Sequence, residues 1–409
     1  MNTSTHDLSG LQFAAGLSKQ SSQMGHLRKY SAEETWTRIQ PDLKSCGVTR
    51  VAPITQLDVL GVPSWVAVRP GGKVLQVSNG KGLSDTAARV SAAMEACELH
   101  RAENPLPSQI WQASGQSLPN ERSGGANRIL RPHELPGMLP RYYEDGFVAE
   151  WTLGVNLSDS QPCFAPSSAI YFLRRPGYYE TSSNGLASGN SLAEAYLHGL
   201  YEVIERDAMC AVRQNGKLLL RQRAQIIDPD SVNDPAARLI LDRCHETGSE
   251  MRLFALPGAV NLPVIWAVLL DQGSGSARSS CNVGWGCHAQ PQIALHRAIT
   301  EAAQSRLGMI HGARDDILRK PVHAVEGPAA SPVFAFFRNL KSDTSWSTIS
   351  EAPYLDPGQG PDIAIRRIVD ALEKNGRGPV FGFDLSDPTH NFFAARILAP
   401  KLKFDKALF

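Results

Sequence analysis

The sequence predicts an α+β fold of mixed sheets in which three acid-bearing helices converge on one site. Strand-like and helix-like segments are interspersed without the strict alternation of a doubly wound sheet. Three helical segments each carry two acid or amide side chains three residues apart: Glu95 and Glu98, Glu202 and Glu205, Glu301 and Gln304. Each pair follows a glycine-rich turn, at Ser78-Asn79-Gly80-Lys81-Gly82, at Asn184-Gly185-Leu186-Ala187-Ser188-Gly189-Asn190 and at Gly284-Trp285-Gly286. Residues at i and i+3 share a helix face, so each pair points one way.

Along the chain, residues 1–25 read as a flexible, Ser/Gln-rich arm, 26–77 as a segment packed on the main domain, and 78–409 as that domain. The arm has no apolar core of a secretory signal. Ser31 to Leu43 has helical spacing, with Ser31 as N-cap and Glu34 completing a capping box. Val48 to Val51, Pro63 to Val68 and Val74 to Ser78 read as strands, the last feeding the first glycine turn. Ser84 to Glu103 is a strong helix with Ala87, Val90, Met94, Cys97 and Arg101 on one stripe and Ser91, Glu95 and Glu98 on the next. Pro105 to Pro140, rich in Pro, Gly, Ser and Asn around Ser123 to Asn127, reads as a surface excursion. Phe147 to Leu157 and Ala169 to Leu173 are expected strands, and Ser191 to about Gln214 the second strong helix. Met251 to Ala255 and Pro263 to Leu270 read as strands, Asp271 to Ser280 as a loop, and Gln292 to Ile310 as the third helix. Pro328 to Asp362 reads as loop, Ile363 to Asn375 as helix and Pro379 to Leu385 as a last strand.

Composition narrows the function. Of the 409 residues, 41 are basic and 40 acidic, a balance that leaves no electrostatic footprint for nucleic acid or anionic membrane. No window approaches eighteen uninterrupted apolar residues, so no transmembrane helix is expected. Seven cysteines form no Cys-x-x-Cys pair and no zinc-like quartet. Their odd number fits reduced thiols in a cytoplasmic protein. Cys281 and Cys287 flank the third glycine turn, and a structural role is the expectation for both.

The acid pairs carry the chemistry. Glu95, Glu98, Glu202, Glu205 and Glu301 can ligate hard cations if their helices converge. Five carboxylates together would repel and raise their own pKa values, a conflict that two Mg²⁺ ions bridging phosphates would resolve. Three separate solvated or ion-paired helix faces would give the same spacing. Lys81 can meet phosphate as a point charge, although its setting is no Walker loop. Arg206 and Arg306 either stabilise charge on a transferring phosphoryl group or close an ion pair along their own helix. His198, between Glu194 and Glu202 on one face, reads as a hydrogen-bonded structural group rather than a catalytic one.

These motifs resemble the YcaO family. The resemblance is carried by Ser78-x-Gly80-Lys81-Gly82 with Ser91-x-x-x-Glu95-x-x-Glu98. It continues in Gly189-Asn190-Ser191-Leu192-x-Glu194-Ala195 and in Gly199-Leu200-x-Glu202-Val203-x-Glu205-Arg206-Asp207. The third signature is Arg297-Ala298-x-Thr300-Glu301-Ala302-Ala303-Gln304-Ser305-Arg306, followed by Arg314-Asp315-Asp316. It covers about Ser78 to Pro400, and Gly47 to Val51 with Leu57 to Pro63 is similar to the subgroup that works beside a TfuA partner.

The resemblance implies a YcaO-type fold that binds ATP and Mg²⁺, with two ions, and activates a peptide-backbone amide by phosphorylating its oxygen. It implies metal or nucleotide roles for the five glutamates. Lys81, Ser91, Glu194, Arg206, Gln304 and Arg306 become nucleotide contacts, and Glu205, Arg206 and Gln304 the catalytic set. An external sulfide attacking the activated carbon gives a thioamide, and a neighbouring Cys, Ser or Thr gives an azoline. The chain lacks the Pro-x-Pro-x-Pro tail and the fused ThiF-like docking domain of many azoline-forming members, and the usual glycine after Pro400. Thioamide formation on a ribosomally made peptide or protein is therefore the expectation, with a TfuA-like or sulfur-delivery partner. An azoline-forming cyclodehydratase and an ATP-binding accessory protein without turnover are the alternatives. A homodimer is compatible with all three.

Overall fold

Ser31 opens the first helix as expected. Its hydroxyl accepts from the Glu34 N–H at 3.1 Å and the Glu34 carboxylate accepts from the Ser31 N–H at 2.8 Å. This reciprocal capping box starts α1 (Ala32–Ile39). The computed structural model describes residues 27–118, 128–135, 143–173, 182–271, 281–314 and 332–404. The expected arm, the centre of the Pro105 to Pro140 excursion, nearly all of the Asp271 to Ser280 loop, and Asp315 and Asp316 lie outside the described residues.

The strands form three sheets. β1 (Arg50–Pro53), β2 (Ser64–Val68) and β3 (Val77–Lys81) make an antiparallel meander, on which α2 (Asp85–Glu103) packs, with Ser84 accepting from the Ala87 N–H as N-cap. A seven-stranded sheet follows, with β4 (Trp111–Ser114), β5 (Arg128–Ile129), β6 (Val148–Asn156), β7 (Pro162–Pro166) and β8 (Leu186–Gly189). From β8 the chain enters the long α3 (Leu192–Gln222). The third sheet has the order β12-β11-β10-β9, from β9 (Gln225–Ile227), β10 (Ser249–Leu256), β11 (Val264–Asp271) and β12 (Cys281–Cys287). α4 (Pro235–Glu246) precedes β10, and α5 (Pro291–His311) follows β12 and ends at Gly312 in the left-handed conformation. After α6 (Pro361–Lys374), β13 (Phe381–Asp384) and β14 (Phe393–Leu398) return to the second sheet, completing the order β5-β7-β6-β13-β14-β8 with β4 on β6.

The α+β class and the three acid helices match expectation, while several local readings do not. Two of the three glycine turns are strands: Asn79-Gly80-Lys81 ends β3 and Gly284-Trp285-Gly286 lies within β12. In the second, Leu186 to Gly189 is β8. Ala169 to Leu173, expected as a strand, opens within a short helix, Ser167–Ile170, whose residues are all buried. The excursion after Pro105 contributes β4 and β5, and the loop-rich stretch before Asp362 holds two short helices, Pro332–Arg338 and Trp346–Ser350. α4, β7, β9 and β14 had no sequence expectation.

Two large apolar cores divide around β10 and β11. Phe254, Val264, Trp266 and Val268 face α3 and α6, while Leu253, Ile265, Ala267 and Leu269 face α4 and α5. This alternation is the period-two pattern of a sheet covered on both faces. A third core, around Val90, Met94, Cys97, Phe381 and Phe383, joins α2 to the seven-stranded sheet. The three acid helices are therefore anchored by different sheets.

A candidate active site between three helices

The glycines act first on packing. A Cβ on Gly80 would lie 2.1 Å from both the Ala88 carbonyl oxygen and the Ala92 nitrogen, and one on Gly284 2.1 Å from the Ala298 oxygen. Each strand thus lies directly on the backbone of the helix that follows it. The helices answer with stripes of small residues at i, i+4 and i+8. These are Ala88, Ala92 and Ala96 on α2, and Ala294, Ala298 and Ala302 on α5, all fully buried. In the second unit glycine stands on both sides: an added Cβ on Gly189 of β8 would lie 2.7 Å from the Ala195 nitrogen, and one on Gly199 of α3 2.8 Å from the Gly185 oxygen. Glycine in a strand here marks close approach of another backbone.

Close strand–helix packing fixes the rotation of each helix and turns one column inward. The columns repeat at i, i+4 and i+7: Ser91, Glu95 and Glu98 on α2; His198, Glu202 and Glu205 on α3; Arg297, Glu301 and Gln304 on α5. They meet in a closed cycle. Lys81, at the end of the first unit's strand, pairs with Glu301 of the third unit. Ser188, from the second unit's strand, donates from its hydroxyl to Glu98 of the first at 2.9 Å. The Cys287 N–H, from the third unit's strand, donates to Glu205 of the second at 3.0 Å. Every strand reaches an acid of another unit, so separate solvated helix faces are ruled out.

The carboxyls feel one another. Burial, then Glu202 and Glu95, push Glu98 well above the usual carboxylate range. Glu95 and Glu202 are also raised, chiefly by burial, against the pull of Arg314 and Lys81 on the first and Arg206 on the second. Glu205 is raised to about 7 by burial and by the charge of Glu301. For Glu301 burial acts in the same direction, but Lys81, with Arg206 and Arg297, outweighs it and holds that carboxyl down. The two neighbours are thus pushed apart, Glu205 upward and Glu301 downward. Four of the five carboxyls are held above their usual range, chiefly by burial.

The remaining sequence-predicted residues fall into two groups. Arg206 stays in the cluster, its Nη2 3.4 Å from Glu202 one turn away. Ser91 and Gln304 are half-buried at the two ends of their columns. Glu194 sits at the rim, accepting from the Asn190 N–H at 3.0 Å and from the Lys29 N–H of the N-terminal segment. Arg306 stands apart. It is 2% exposed and points away from the carboxylate cluster, bound by Asp58 through contacts of 3.1 Å and by Asp271. Two buried carboxylates already occupy this guanidinium, the ion-paired alternative, although its partners lie far along the chain rather than on its own helix. Cys287 is fully buried, with burial and Glu205 pushing its thiol well up, and Cys281 is half-buried.

Sequence reasoning missed three cations. Arg297 stands one turn before Glu301 and acts electrostatically on Glu202, Glu205 and Glu301. Its column position was a usable signal. Arg28, in the N-terminal segment, acts on Arg297, His198 and His288, and Arg396 of β14 acts on Glu98 and Glu202. Arg396 is 1% exposed, donating to the carbonyls of Ile170, Ser182 and Asn184. Neither Arg28 nor Arg396 has a local motif to mark it.

The residues fit a magnesium nucleotide. Among the described residues no three acidic, His or Cys side chains stand close enough together to hold one ion by themselves. Mg²⁺ needs no such cage, because it takes one or two carboxylates and completes its shell with phosphate oxygens and water. The raised carboxyls of Glu95, Glu98, Glu202 and Glu205 are a donor set that such an ion would draw to their charged forms, and Lys81, Arg206 and Arg297 would be the cations within reach of its phosphates.

A family model described as YcaO cyclodehydratase, ATP- and Mg²⁺-binding, matches residues 79–403. An uncharacterized protein in the tfuA 3′ region of Rhizobium leguminosarum bv. trifolii is 35% identical over 317 residues, covering 75% of this chain and 72% of that protein. The structure of YcaO from Methanopyrus kandleri bound with AMPPCP and Mg²⁺ superposes with a TM-score of 0.69 at 21% identity, over 92% of each chain. A heterocyclase in complex with substrate and cofactor gives 0.72 at 19% identity, over 92% of this chain and 53% of the other.

Proposed function

The chain belongs to the YcaO family, and from that premise we propose that it activates a peptide-backbone amide with ATP and replaces the amide oxygen by sulfur, giving a thioamide. The family is ATP- and Mg²⁺-binding. The observation that carries the finer reading is the relative encoded beside tfuA, at 35% identity. It supports a TfuA-like or sulfur-delivery partner for this chain too.

When bound, ATP supplies the phosphoryl group that makes the amide oxygen a leaving group. The protein's part is placement and charge. Glu95, Glu98, Glu202, Glu205 and Glu301 would hold the magnesium ions, while Lys81, Arg206 and Arg297 would balance the phosphate chain. Ser91, Glu194 and Gln304 are the polar contacts at the column ends and the rim. Glu205, Arg206 and Gln304 would form the catalytic set, and Glu205 would be ionised when it holds a cation. At the substrate carbon a hydrosulfide adds, the C–O bond to the phosphorylated oxygen breaks, phosphate departs with that oxygen, and loss of a proton leaves C=S. Water must be kept from the same carbon, or activation ends in hydrolysis.

The family description and the heterocyclase likeness favour a second reading, azoline formation by a neighbouring Cys, Ser or Thr. One experiment separates the two. Enzyme, the tfuA-encoded partner, ATP, Mg²⁺ and sulfide are incubated with the peptide encoded alongside them, and the product is weighed by mass spectrometry. Exchange of one oxygen for sulfur, dependent on added sulfide, is the expected result. Loss of one water without need of sulfide would install the azoline reading. ATP hydrolysis with an unchanged peptide would favour an accessory role.

A further inference from the structure

We propose that His198 is the positioning residue that aims Arg297 at the phosphate chain of the bound nucleotide; the inference rests on the nucleotide reading above. His198 stands one turn before Glu202 as Arg297 stands one turn before Glu301, so the two occupy matching places on α3 and α5. His198 Nε2 lies 3.4 Å from Arg297 Nη2. A guanidinium can only donate, so this ring nitrogen must offer its lone pair and the imidazole must be neutral, with its proton on Nδ1. The backbone of Ser188 on β8 supplies the second ring hydrogen bond and fixes that tautomer.

The charged groups facing the ring agree. Burial, then Arg297 from α5, Arg28 from the N-terminal segment and Lys81 from β3, lower the His198 pKa to about 3. The acceptor is therefore kept at every working pH. His288, after β12, is likewise lowered to about 3 by burial and the same two arginines. Its Nδ1 accepts from the Gln290 N–H at 3.0 Å, so it too meets the arginines as a neutral ring.

Arg297 is the counterpart. Lys81 and Arg206 are paired with Glu301 and Glu202, and Arg306 with Asp58 and Asp271. Among the described residues Arg297 closes no ion pair, although three carboxylates feel its charge, and its buried Nε has no hydrogen-bond partner. A cation held by a neutral acceptor keeps its charge for an incoming anion. A carboxylate in place of His198 would quench it. Histidine gives direction without neutralisation, which is the requirement for a phosphate-binding guanidinium.

The test is calorimetric titration of Mg·AMPPCP into the intact protein and three variants. His198→Leu keeps bulk but loses the acceptor, and should weaken binding about ten-fold or more, as expected for one misdirected charge-assisted contact. His198→Gln, whose Oε1 can replace Nε2, should restore most of the affinity. In an Arg297→Gln background, His198→Leu should add little, because its effect passes through Arg297. Thermal melts identify any variant that fails to fold, and the Gln variant then carries the comparison. Unchanged affinity in folded His198→Leu, or equal losses with and without Arg297, would overturn the inference while leaving the nucleotide site standing. Failure of the unaltered protein to bind Mg·AMPPCP would overturn the nucleotide reading itself.

Discussion

Glu205 shows how a single side chain reports the state of the whole cluster. Its carboxyl is raised from 4.5 to about 7 because folding withdraws it from water beside the Glu301 charge. Folding therefore works against its ionised form. Below about 4.5 the group is neutral in folded and unfolded chains alike, and it costs nothing there. As pH rises from 4.5 to about 7 the unfolded chain ionises while the folded one keeps its proton, so stability falls, and it levels off above 7. Glu205→Gln in metal-free buffer should accordingly raise the melting temperature at pH 8. The gain should shrink as pH drops through 7 and vanish near 4.5, while ATP turnover is lost. A gain independent of pH, or a loss at pH 8, would show that Glu205 carries no such strain. Arg306 teaches the complementary lesson. In sequence it ends the same motif as Glu301 and Gln304, yet it turns outward to Asp58 and Asp271. Helical phase separates the two, since positions 301 and 304 share a face and 306 lies on another.

The recurring element is a glycine-bearing strand laid on a helix with a small-residue stripe. Gly80→Ala forces a methyl to within 2.1 Å of helix backbone that cannot move without rotating the Glu95 and Glu98 column. It should destabilise the protein by about 3 kcal/mol or more, toward the upper range for overpacking, or prevent folding. Gly284→Ala should behave alike against α5. Gly71→Ala is the control, since no atom lies within 4 Å of its added Cβ. Equal melting curves for Gly80→Ala and Gly71→Ala would refute the packing argument. Much of this element was legible in the sequence: the acid spacing, the preceding glycines and all three helices. The conformation of the glycine segments was not. Local propensity reads Asn-Gly-Lys-Gly as a turn, and only the neighbouring helix makes it a strand. The same tertiary override explains the short helix at Ser167–Ile170, fully buried where β propensity pointed to a strand. It also explains the unforeseen β14, whose Arg396 is satisfied by carbonyls far away in sequence.

At the scale of the molecule, three units anchored on three sheets place their acid columns around one volume. The contacts Lys81 to Glu301, Ser188 to Glu98 and Cys287 N–H to Glu205 close the ring. No helix among the described residues is long and apolar enough to cross a membrane, and the basic and acidic residues balance. The charge that matters is thus local to the cluster. A site built this way cannot be assigned to one helix: remove an acid from any column and the same ligand should suffer. The direct measurement is calorimetric titration of Mg·AMPPCP into the native chain and into Glu95→Gln, Glu202→Gln and Glu301→Gln, each first shown to be folded. The account predicts one nucleotide per native chain, with affinity lowered about ten-fold or more by each of the three substitutions. Native affinity in any one of them would show that its helix lies outside the site, and the three-helix account would be wrong.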